Sequence, residues 1–290
     1  MPDTRVEMKT AMNIGGPVVQ VTKARGGRVY ELGHVDGKPK VPSVTSIVDG
    51  TLRNYGLEIW KQQHIERGLE AQRGEQLSGR AIDRIMTASS DEAQASADLG
   101  TQMHSIIEGL LQGQEMAVPE QLEPAVRGWL KWRAEFARWE LQGSEVTVFD
   151  EELGYAGTVD ALWYDPVDER YIVVDWKTSA GMYPSALMQV SAYAHALEEM
   201  MFGPDENFKI IQRPTQAWAG RRPAARRVHG MVVRFDNGYP LVDGQKDRSQ
   251  PKIFTDRVEY AWGGDSRWAA FESCLALNKA GKEKIKKEWL

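Results

Sequence analysis

A strand that is apolar along most of its length and charged at its end constrains the fold of this chain more than any other stretch. Residues 171–177 read YIVVDWK, an apolar run rich in β-branched side chains, and this pattern is typical of a mostly buried strand. Because side chains alternate along a strand, Asp175 and Lys177 lie on one face and Trp176 lies on the other. A carboxylate and an ammonium therefore share one face at the end of a buried strand.

The preceding segment predicts an antiparallel partner for this strand. Residues 155–164 have strand character, and the connector DPVDER at 165–170 has the residues of a turn. A loop centred on the middle of that connector sets Asp160 opposite Asp175. Two carboxylates roughly 5 Å apart across a ladder repel each other, and a divalent cation such as Mg²⁺ compensates such a pair. A second interpretation stays open, in which the hairpin is exposed, its acids are solvated and the lysine is their counter-ion.

Composition limits the class of protein. The 290 residues are 42% hydrophobic and 27% charged, which is usual for a globular protein that buries a sizeable core. No run approaches ~18 apolar residues and the N-terminus lacks a signal-like apolar region, so we expect a cytoplasmic protein with no membrane partner. The net charge of -5 counts mildly against a polyanionic partner unless a basic surface is local.

The rest of the chain predicts helices and further strands around the hairpin. In chain order we expect a weakly ordered arm at 1–16, a hairpin at 17–32, a short helix capped by Ser43 or Thr45, helices at 55–68 and 71–86, a helix from Ser89 to about Gln112, a helix at about 119–141, strands at 145–150 and 228–235, a helix at 185–201, a strand near Ile253, and a helix from about Asp265 that leads into a lysine-rich tail.

Two of these helices carry polar residues of interest. The helix from Ser89, whose Glu92 completes a capping-box pattern, has His104 at the border of its apolar stripe. The helix at 185–201 has Gln189 and Tyr193 one turn apart. Structural roles alone also account for these residues, as a boundary histidine and a solvated polar pair.

An irregular basic segment lies at residues 213–227, before the strand at 228–235. Its arginines stand among prolines and alanines, and the segment is either a solvated loop or a loop that binds the phosphates of a nucleic acid. The candidate DNA-binding residues are Arg221, Arg222, Arg226 and Arg227.

Taken together, four motifs resemble the PD-(D/E)XK nuclease superfamily, and within it the RecB-like branch. They are His104 on a helix, Gly157-Thr158-Val159-Asp160, Asp175-Trp176-Lys177-Thr178 and Gln189-x-x-x-Tyr193, in family order. More closely, the chain resembles phage-encoded exonucleases related to the CRISPR-associated adaptation nucleases and the mitochondrial genome-maintenance exonucleases. Pro42-Ser43-Val44-Thr45 and Trp60 add to that likeness.

The resemblance implies an α/β (α+β) fold, with a central mixed β-sheet flanked by helices in a restriction-endonuclease-like core. It places a mostly helical N-terminal elaboration, with the arm and hairpin, at residues 1–88. The nuclease core then occupies 89–290 and includes the basic loop and a C-terminal helix.

The resemblance also implies a metal site. Asp160 and Asp175 match the metal-binding acids, His104 matches an additional ligand, and the carbonyl of Trp176 matches a backbone ligand of Mg²⁺ or Mn²⁺. Some members of the branch hold an iron–sulfur cluster with four cysteines. This chain has only Cys274, so no iron–sulfur cluster is expected, and the same count excludes an internal disulfide.

Lys177 matches the catalytic lysine. Gln189 and Tyr193 match the helix motif that supports the site and approaches DNA, and Thr178 follows the lysine. Glu145 stands where many relatives place an acid, but no defined role is carried onto it. Glu108 matches no motif position, and a second-metal role for it is only a guess.

The function implied is metal-dependent exonuclease cleavage of linear DNA from its ends, in phage recombination, replication or repair. It is expected in the cytoplasm, that of the host for a phage protein, and a single-strand annealing protein is the expected partner. Two alternatives stay open: a structure- or sequence-specific endonuclease, and a non-catalytic DNA-binding module. The sequence leaves open the polarity of digestion, the preference for single or double strands, the number of metals and the oligomeric state.

Overall fold

The computed structural model describes residues 19–24, 27–32, 37, 39–52, 55–74, 76, 78–202, 228–246 and 252–281. The helices in these ranges are α1 (Val44–Thr51), α2 (Tyr55–Glu70), α3 (Gly79–Leu111), α4 (Glu123–Glu135), α5 (Pro184–Phe202) and α6 (Asp265–Ala280). The strands are β1 (Val19–Ala24), β2 (Gly27–Leu32), β3 (Lys40–Pro42), β4 (Glu140–Asp150), β5 (Tyr155–Asp165), β6 (Arg170–Lys177), β7 (Val228–Gly238), β8 (Leu241–Val242), β9 (Gln245–Lys246) and β10 (Ile253–Trp262).

A five-stranded mixed sheet forms the centre of the fold, in the order β10-β7-β6-β5-β4. Strands β4, β5 and β6 are antiparallel neighbours, β6 and β7 are parallel, and β7 and β10 are antiparallel. Because parallel neighbours need a crossover connection, the chain passes through α5 between β6 and β7. The expected α/β fold with a central mixed sheet flanked by helices is confirmed.

Both faces of this sheet are covered, which explains the apolar run in β6. One face packs against α1, α5 and α6 around residues such as Ile47, Tyr193 and Phe271. The other packs against α3 and α4 around Ile107 and Trp132. A strand covered on both sides reads as continuously apolar.

The predicted register of the β5–β6 hairpin is confirmed. Ala161 pairs with Val174, and the next pairs along the ladder keep the same offset. One further step along this register sets Asp160 level with Asp175, as the sequence predicts.

A buried aspartate at the hairpin turn fixes that register. Asp165 is fully buried, and its Oδ1 accepts hydrogen bonds from the backbone N–H groups of Val167 at 3.1 Å and Asp168 at 3.4 Å. Its Oδ2 accepts from Arg138 at 2.8 Å and from the indole of Trp139 at 3.1 Å. An aspartate that closes a turn in this way leaves little freedom to the loop length.

The prediction of two helices at 71–86 and from Ser89 is wrong. Residues 71–74 form a turn, and the single helix α3 begins after Ser78, whose side chain accepts a hydrogen bond from the N–H of Ala81. Glu92 bonds to His64 instead of capping a helix, so the capping-box pattern lies inside a continuous helix. The boundary proposed at 88/89 falls within α3, and the division into two domains stays a prediction.

The helix predicted at 119–141 is shorter, and the strand predicted at 145–150 begins earlier. A 3₁₀ turn at Glu120–Leu122 precedes α4, and the helix ends before Phe136. Arg133 donates to the carbonyls of Phe136 at 2.6 Å and Trp139 at 3.1 Å. Because a side chain in the last turn of α4 satisfies these two carbonyls beyond the helix end, the chain can leave the helix early and enter β4.

The other predicted elements agree with the structure to within a few residues at most ends, and Ser43 is the N-cap of α1. Strand β3 and the small β8–β9 hairpin were not predicted. The arm at 1–16, the basic loop at 213–227 with Arg221, Arg222, Arg226 and Arg227, and the tail at 282–290 lie outside the described residues. Among the described helices, none combines the length and the apolar character needed to cross a membrane.

The crossing of α5 over β7 predicts a steric requirement for glycine at position 230. A Cβ atom there would lie 2.4 Å from the carbonyl oxygen of Val190, so Gly230→Ala should lower the free energy of unfolding by about 1–3 kcal/mol. Urea denaturation measures this. Gly238→Ala in the same strand is the control, since a Cβ there meets nothing within 4 Å. Equal losses for both variants would contradict the close crossing.

Candidate active site

Two aspartates lie beside each other at the ends of adjacent strands. Asp175 on β6 is buried and Asp160 on β5 is half-buried. The backbone N–H of Trp176 donates to Oδ2 of Asp160 at 2.7 Å, so the Asp160 side chain reaches across to the partner strand. The two carboxylates are thus brought to the same end of the hairpin.

The environment of Asp175 disfavours an uncompensated charge. Burial raises the pKa of its carboxyl to about 6; the ammonium of Lys177 opposes that shift and the Asp160 carboxylate adds to it. Oδ1 accepts a hydrogen bond from Gln189 at 3.1 Å. Oδ2 forms an ion pair with Lys177, without a hydrogen bond of regular geometry among the described residues. This oxygen therefore depends on a nearby cation.

His104 reaches the same place from α3, on the opposite side of the sheet. Its Nε2 lies 3.0 Å from the carbonyl oxygen of Trp176, and its Nδ1 lies 3.3 Å from Oδ1 of Asp160. Burial alone lowers the pKa of His104, but the hydrogen bond to Asp160 and the charges of Asp160 and Asp175 outweigh it, and the net shift is upward. An imidazole, a carboxylate and a backbone carbonyl thus meet at the end of β6.

Lys177 is surrounded by acids. Burial lowers the pKa of its ammonium, but the carboxylates of Asp175, Asp160 and Asp49 outweigh burial and raise the pKa above its ordinary value. The side chain keeps 29% of its surface exposed. Lys177 is therefore a cation with access to solvent, beside two carboxylates.

Sequence reasoning missed Asp49, which lies on α1 and interacts electrostatically with Lys177. Partial burial raises the pKa of the Asp49 carboxyl, and Lys177 opposes that shift. Helix α1 is held against β5 because its N-cap, Ser43, forms a bridge with Ala156. No local pattern in the sequence pairs an α1 residue with the end of β6, so only the tertiary structure reveals this contact.

Gln189 and Tyr193 of α5 pack beneath the Asp175 carboxylate and are hydrogen-bonded to each other. The side-chain nitrogen of Gln189 donates to Tyr193 Oη at 2.7 Å as well as to Asp175. The ring of Tyr193 lies over Gly157, where a Cβ atom would meet it at 2.2 Å. The glycine three residues before Asp160 is thus a steric requirement of the tyrosine on α5.

The remaining candidates have other contacts. Thr178 lies beside Gly100 of α3, and its carbonyl accepts a hydrogen bond from Asn237 at 3.4 Å. Glu108 accepts a hydrogen bond from Gln112 at 3.1 Å. Glu145 has a φ of 52°, which is uncommon for a residue with a side chain. Roles for these three residues in the reaction stay predictions.

The oxygen donors at this site meet the needs of a small divalent cation. Among the described residues, no three His, Cys, Asp or Glu side chains form a group that could hold a metal on their own. Mg²⁺ is usually held by only one or two carboxylates together with waters and substrate oxygens. Asp160, Asp175 and the Trp176 carbonyl supply oxygen donors of that kind, so the residues present fit the ion.

The decisive observation on family comes from sequence comparison. A sequence model of the PD-(D/E)XK nuclease superfamily matches residues 69–231, which is more than half of the 290 residues of the chain. The chain belongs to the PD-(D/E)XK nuclease superfamily. A comparison with curated proteins finds no match.

Membership in the PD-(D/E)XK superfamily fixes the class of activity as that of a nuclease, and such nucleases typically use divalent metals such as Mg²⁺. The matched range contains Asp160, Asp175 and Lys177 and runs from the end of α2 into β7. The five-stranded mixed sheet is consistent with the restriction-endonuclease-like core of this superfamily.

The pair of carboxylates predicts that a divalent cation stabilises the folded protein. Saturating Mn²⁺ at roughly 100 times its Kd should add about 2.7 kcal/mol, seen as a rise of the thermal midpoint by several degrees. Asp160→Asn and Asp175→Asn should lose this rise, because each removes a charged oxygen donor. Asp168→Asn, at the opposite end of the hairpin, is the control and should keep it. If Mn²⁺ raised the thermal midpoint of both site variants by an unchanged amount, the metal would not be bound by these aspartates.

Proposed function

We propose that this nuclease is a metal-dependent exonuclease that hydrolyses the phosphodiester bonds of DNA from its ends, with Mg²⁺ or Mn²⁺ as cofactor. The observation that carries the proposal is the cluster at the end of the β5–β6 hairpin. There a buried aspartate, a second aspartate and a lysine cation lie together, next to a histidine and the backbone carbonyl of Trp176.

In this proposal Asp160 and Asp175 hold the ion, with His104 and the carbonyl of Trp176 as further ligands. A bound divalent cation lowers the pKa of a water and stabilises negative charge that develops on a phosphate. To act as a ligand, the His104 nitrogen must first give up its proton, since a protonated nitrogen has no free lone pair.

Lys177 contributes a positive charge to a site that also holds two carboxylates. Its ammonium is held beside Asp175 and keeps access to solvent, so it can orient an attacking water or stabilise the negative charge of the transition state. Gln189 and Tyr193 hold the Asp175 carboxylate in place, since the Gln189 amide binds both. Thr178, which follows Lys177, is proposed to support the same site.

The end-directed part of the proposal rests on the likeness of the motifs to the RecB-like branch and to phage-encoded exonucleases. It extends to a role in phage recombination, replication or repair in the host cytoplasm, alongside a single-strand annealing protein. Arg221, Arg222, Arg226 and Arg227 are proposed to contact DNA phosphates.

Removal of the lysine tests the catalytic part. Lys177→Ala should slow cleavage of linear DNA by at least about 100-fold, because the transition state loses its positive partner. DNA binding, measured by fluorescence anisotropy, should change little. Circular dichroism should still show a folded protein, although the thermal midpoint falls because the buried Asp175 carboxylate loses its cation. Lys131→Ala is the control, since Lys131 is a surface residue paired with Asp256. Full activity of Lys177→Ala with Mg²⁺ or Mn²⁺ present would exclude the lysine from the mechanism.

The topology of the substrate tests the end-directed part. Linear and covalently closed circular DNA are incubated with the protein and Mn²⁺, and the products are separated on a gel. Degradation of the linear form alone supports the exonuclease. Cleavage of both forms would replace it with an endonuclease, and cleavage of neither would leave a DNA-binding module on a nuclease fold.

A further inference from the structure

The loop between β6 and α5, residues 178–183, presents an exposed aromatic ring. Tyr183 exposes 52% of its surface, and among the described side chains no aromatic residue is more exposed. Two other aromatic residues are also exposed, but Tyr260 donates a hydrogen bond to Glu135 and Trp262 lies beneath Arg170. Within the described residues, the structure gives the ring of Tyr183 no comparable partner.

The first half of this loop is anchored to the sheet. A buried arginine, Arg234, donates to the carbonyl of Ser179 at 3.0 Å, and its guanidinium is itself fixed by Glu259 at 2.8 Å and Asp236 at 3.0 Å. The hydroxyl of Ser179 donates to the carbonyl of Gly181 at 2.7 Å. The backbone after Lys177 is thus held in one conformation by groups on β7 and β10.

The second half is anchored to α5. The side chain of Met182 packs with Ala186, Val190 and Val232, and the carbonyl of Tyr183 accepts a hydrogen bond from the N–H of Ala186 at 3.1 Å. The backbone at Tyr183 is thus anchored on both sides, and the exposed ring projects from a fixed point of the chain.

Along the chain, Tyr183 lies between the two segments that carry the candidate active site. Lys177 directly precedes the loop, and Gln189, which binds Asp175, follows in the second turn of α5. Tyr183 is six positions along the chain from Lys177, which limits the distance between their Cα atoms to about 22 Å. A strand of nucleic acid bound at the carboxylates covers that distance with a few nucleotides.

We infer that Tyr183 stacks on an unpaired base of the DNA strand held at the active site. The inference rests on the proposed nuclease function and names the substrate more closely. An aromatic ring stacks on any base regardless of sequence, but inside a duplex both faces of a base are covered by neighbouring bases. The substrate is therefore a single strand or the frayed end of a duplex.

The test uses the base analogue 2-aminopurine, because its fluorescence intensity falls when it stacks on an aromatic ring. Single-stranded oligonucleotides with 2-aminopurine at successive positions are titrated with Lys177→Ala protein, which should bind without cleaving. At one position, the 2-aminopurine fluorescence should be quenched by this protein and by the Lys177→Ala/Tyr183→Phe variant, since stacking needs the ring and not the hydroxyl. Lys177→Ala/Tyr183→Ala should lose the quenching and bind roughly 5- to 150-fold more weakly. The control is Lys177→Ala/Val167→Ala, which trims another exposed side chain at the far hairpin tip.

Quenching and affinity unchanged by Tyr183→Ala would overturn the inference. If Lys177→Ala does not bind the oligonucleotide, the titration is repeated with otherwise wild-type protein and Tyr183→Ala in EDTA, and failure to bind there overturns it as well. Cleavage of the same oligonucleotide by the wild-type protein with Mn²⁺ is scored separately. Cleavage without Tyr183-dependent stacking would support the nuclease proposal and overturn the stacking inference. Stacking without cleavage would support the stacking inference and overturn the nuclease proposal.

Discussion

Two carboxylates that leave adjacent strands at the same level of a buried sheet impose the main requirement on this fold. Asp175 cannot reach bulk water, and the charge of Asp160 beside it makes ionisation still more costly. Cations and hydrogen-bond donors must therefore surround the pair. The Lys177 ammonium, the Gln189 amide and the Trp176 backbone N–H fill that need, and each comes from a segment whose position the sheet determines.

The layers around the sheet supply what the hairpin lacks. Helix α5 packs so closely that Gly157 and Gly230 leave room for no side chain, and this closeness brings Gln189 to Asp175. Helix α3, on the opposite face, brings His104 to the end of β6. Helix α1 adds Asp49 near Lys177. A site with this many acids in a buried sheet is costly to maintain without a function, and membership in a nuclease superfamily supplies one.

Local patterns predicted the hairpin and its register, because turn chemistry and strand alternation act over a few residues. The same reasoning failed at Ser89, where a capping-box pattern occurs inside α3 and Glu92 bonds to His64 instead. It also could not find Asp49 or Arg234, since tertiary packing alone brings Asp49 near Lys177 at the end of β6 and Arg234 to the carbonyl of Ser179 just beyond it. His104 was found only because its position matched a family motif; its helix periodicity alone fits a boundary residue equally well.

The central claim is that Asp160, Asp175 and the carbonyl of Trp176 bind one divalent cation. Crystals of the protein soaked in Mn²⁺ test it most directly, through the anomalous difference map recorded near the manganese absorption edge. The account predicts a peak within coordination distance of both carboxylates and the Trp176 carbonyl, with His104 turned toward it. A map with no peak at the end of the β5–β6 hairpin, or with manganese held only elsewhere on the protein, would contradict it.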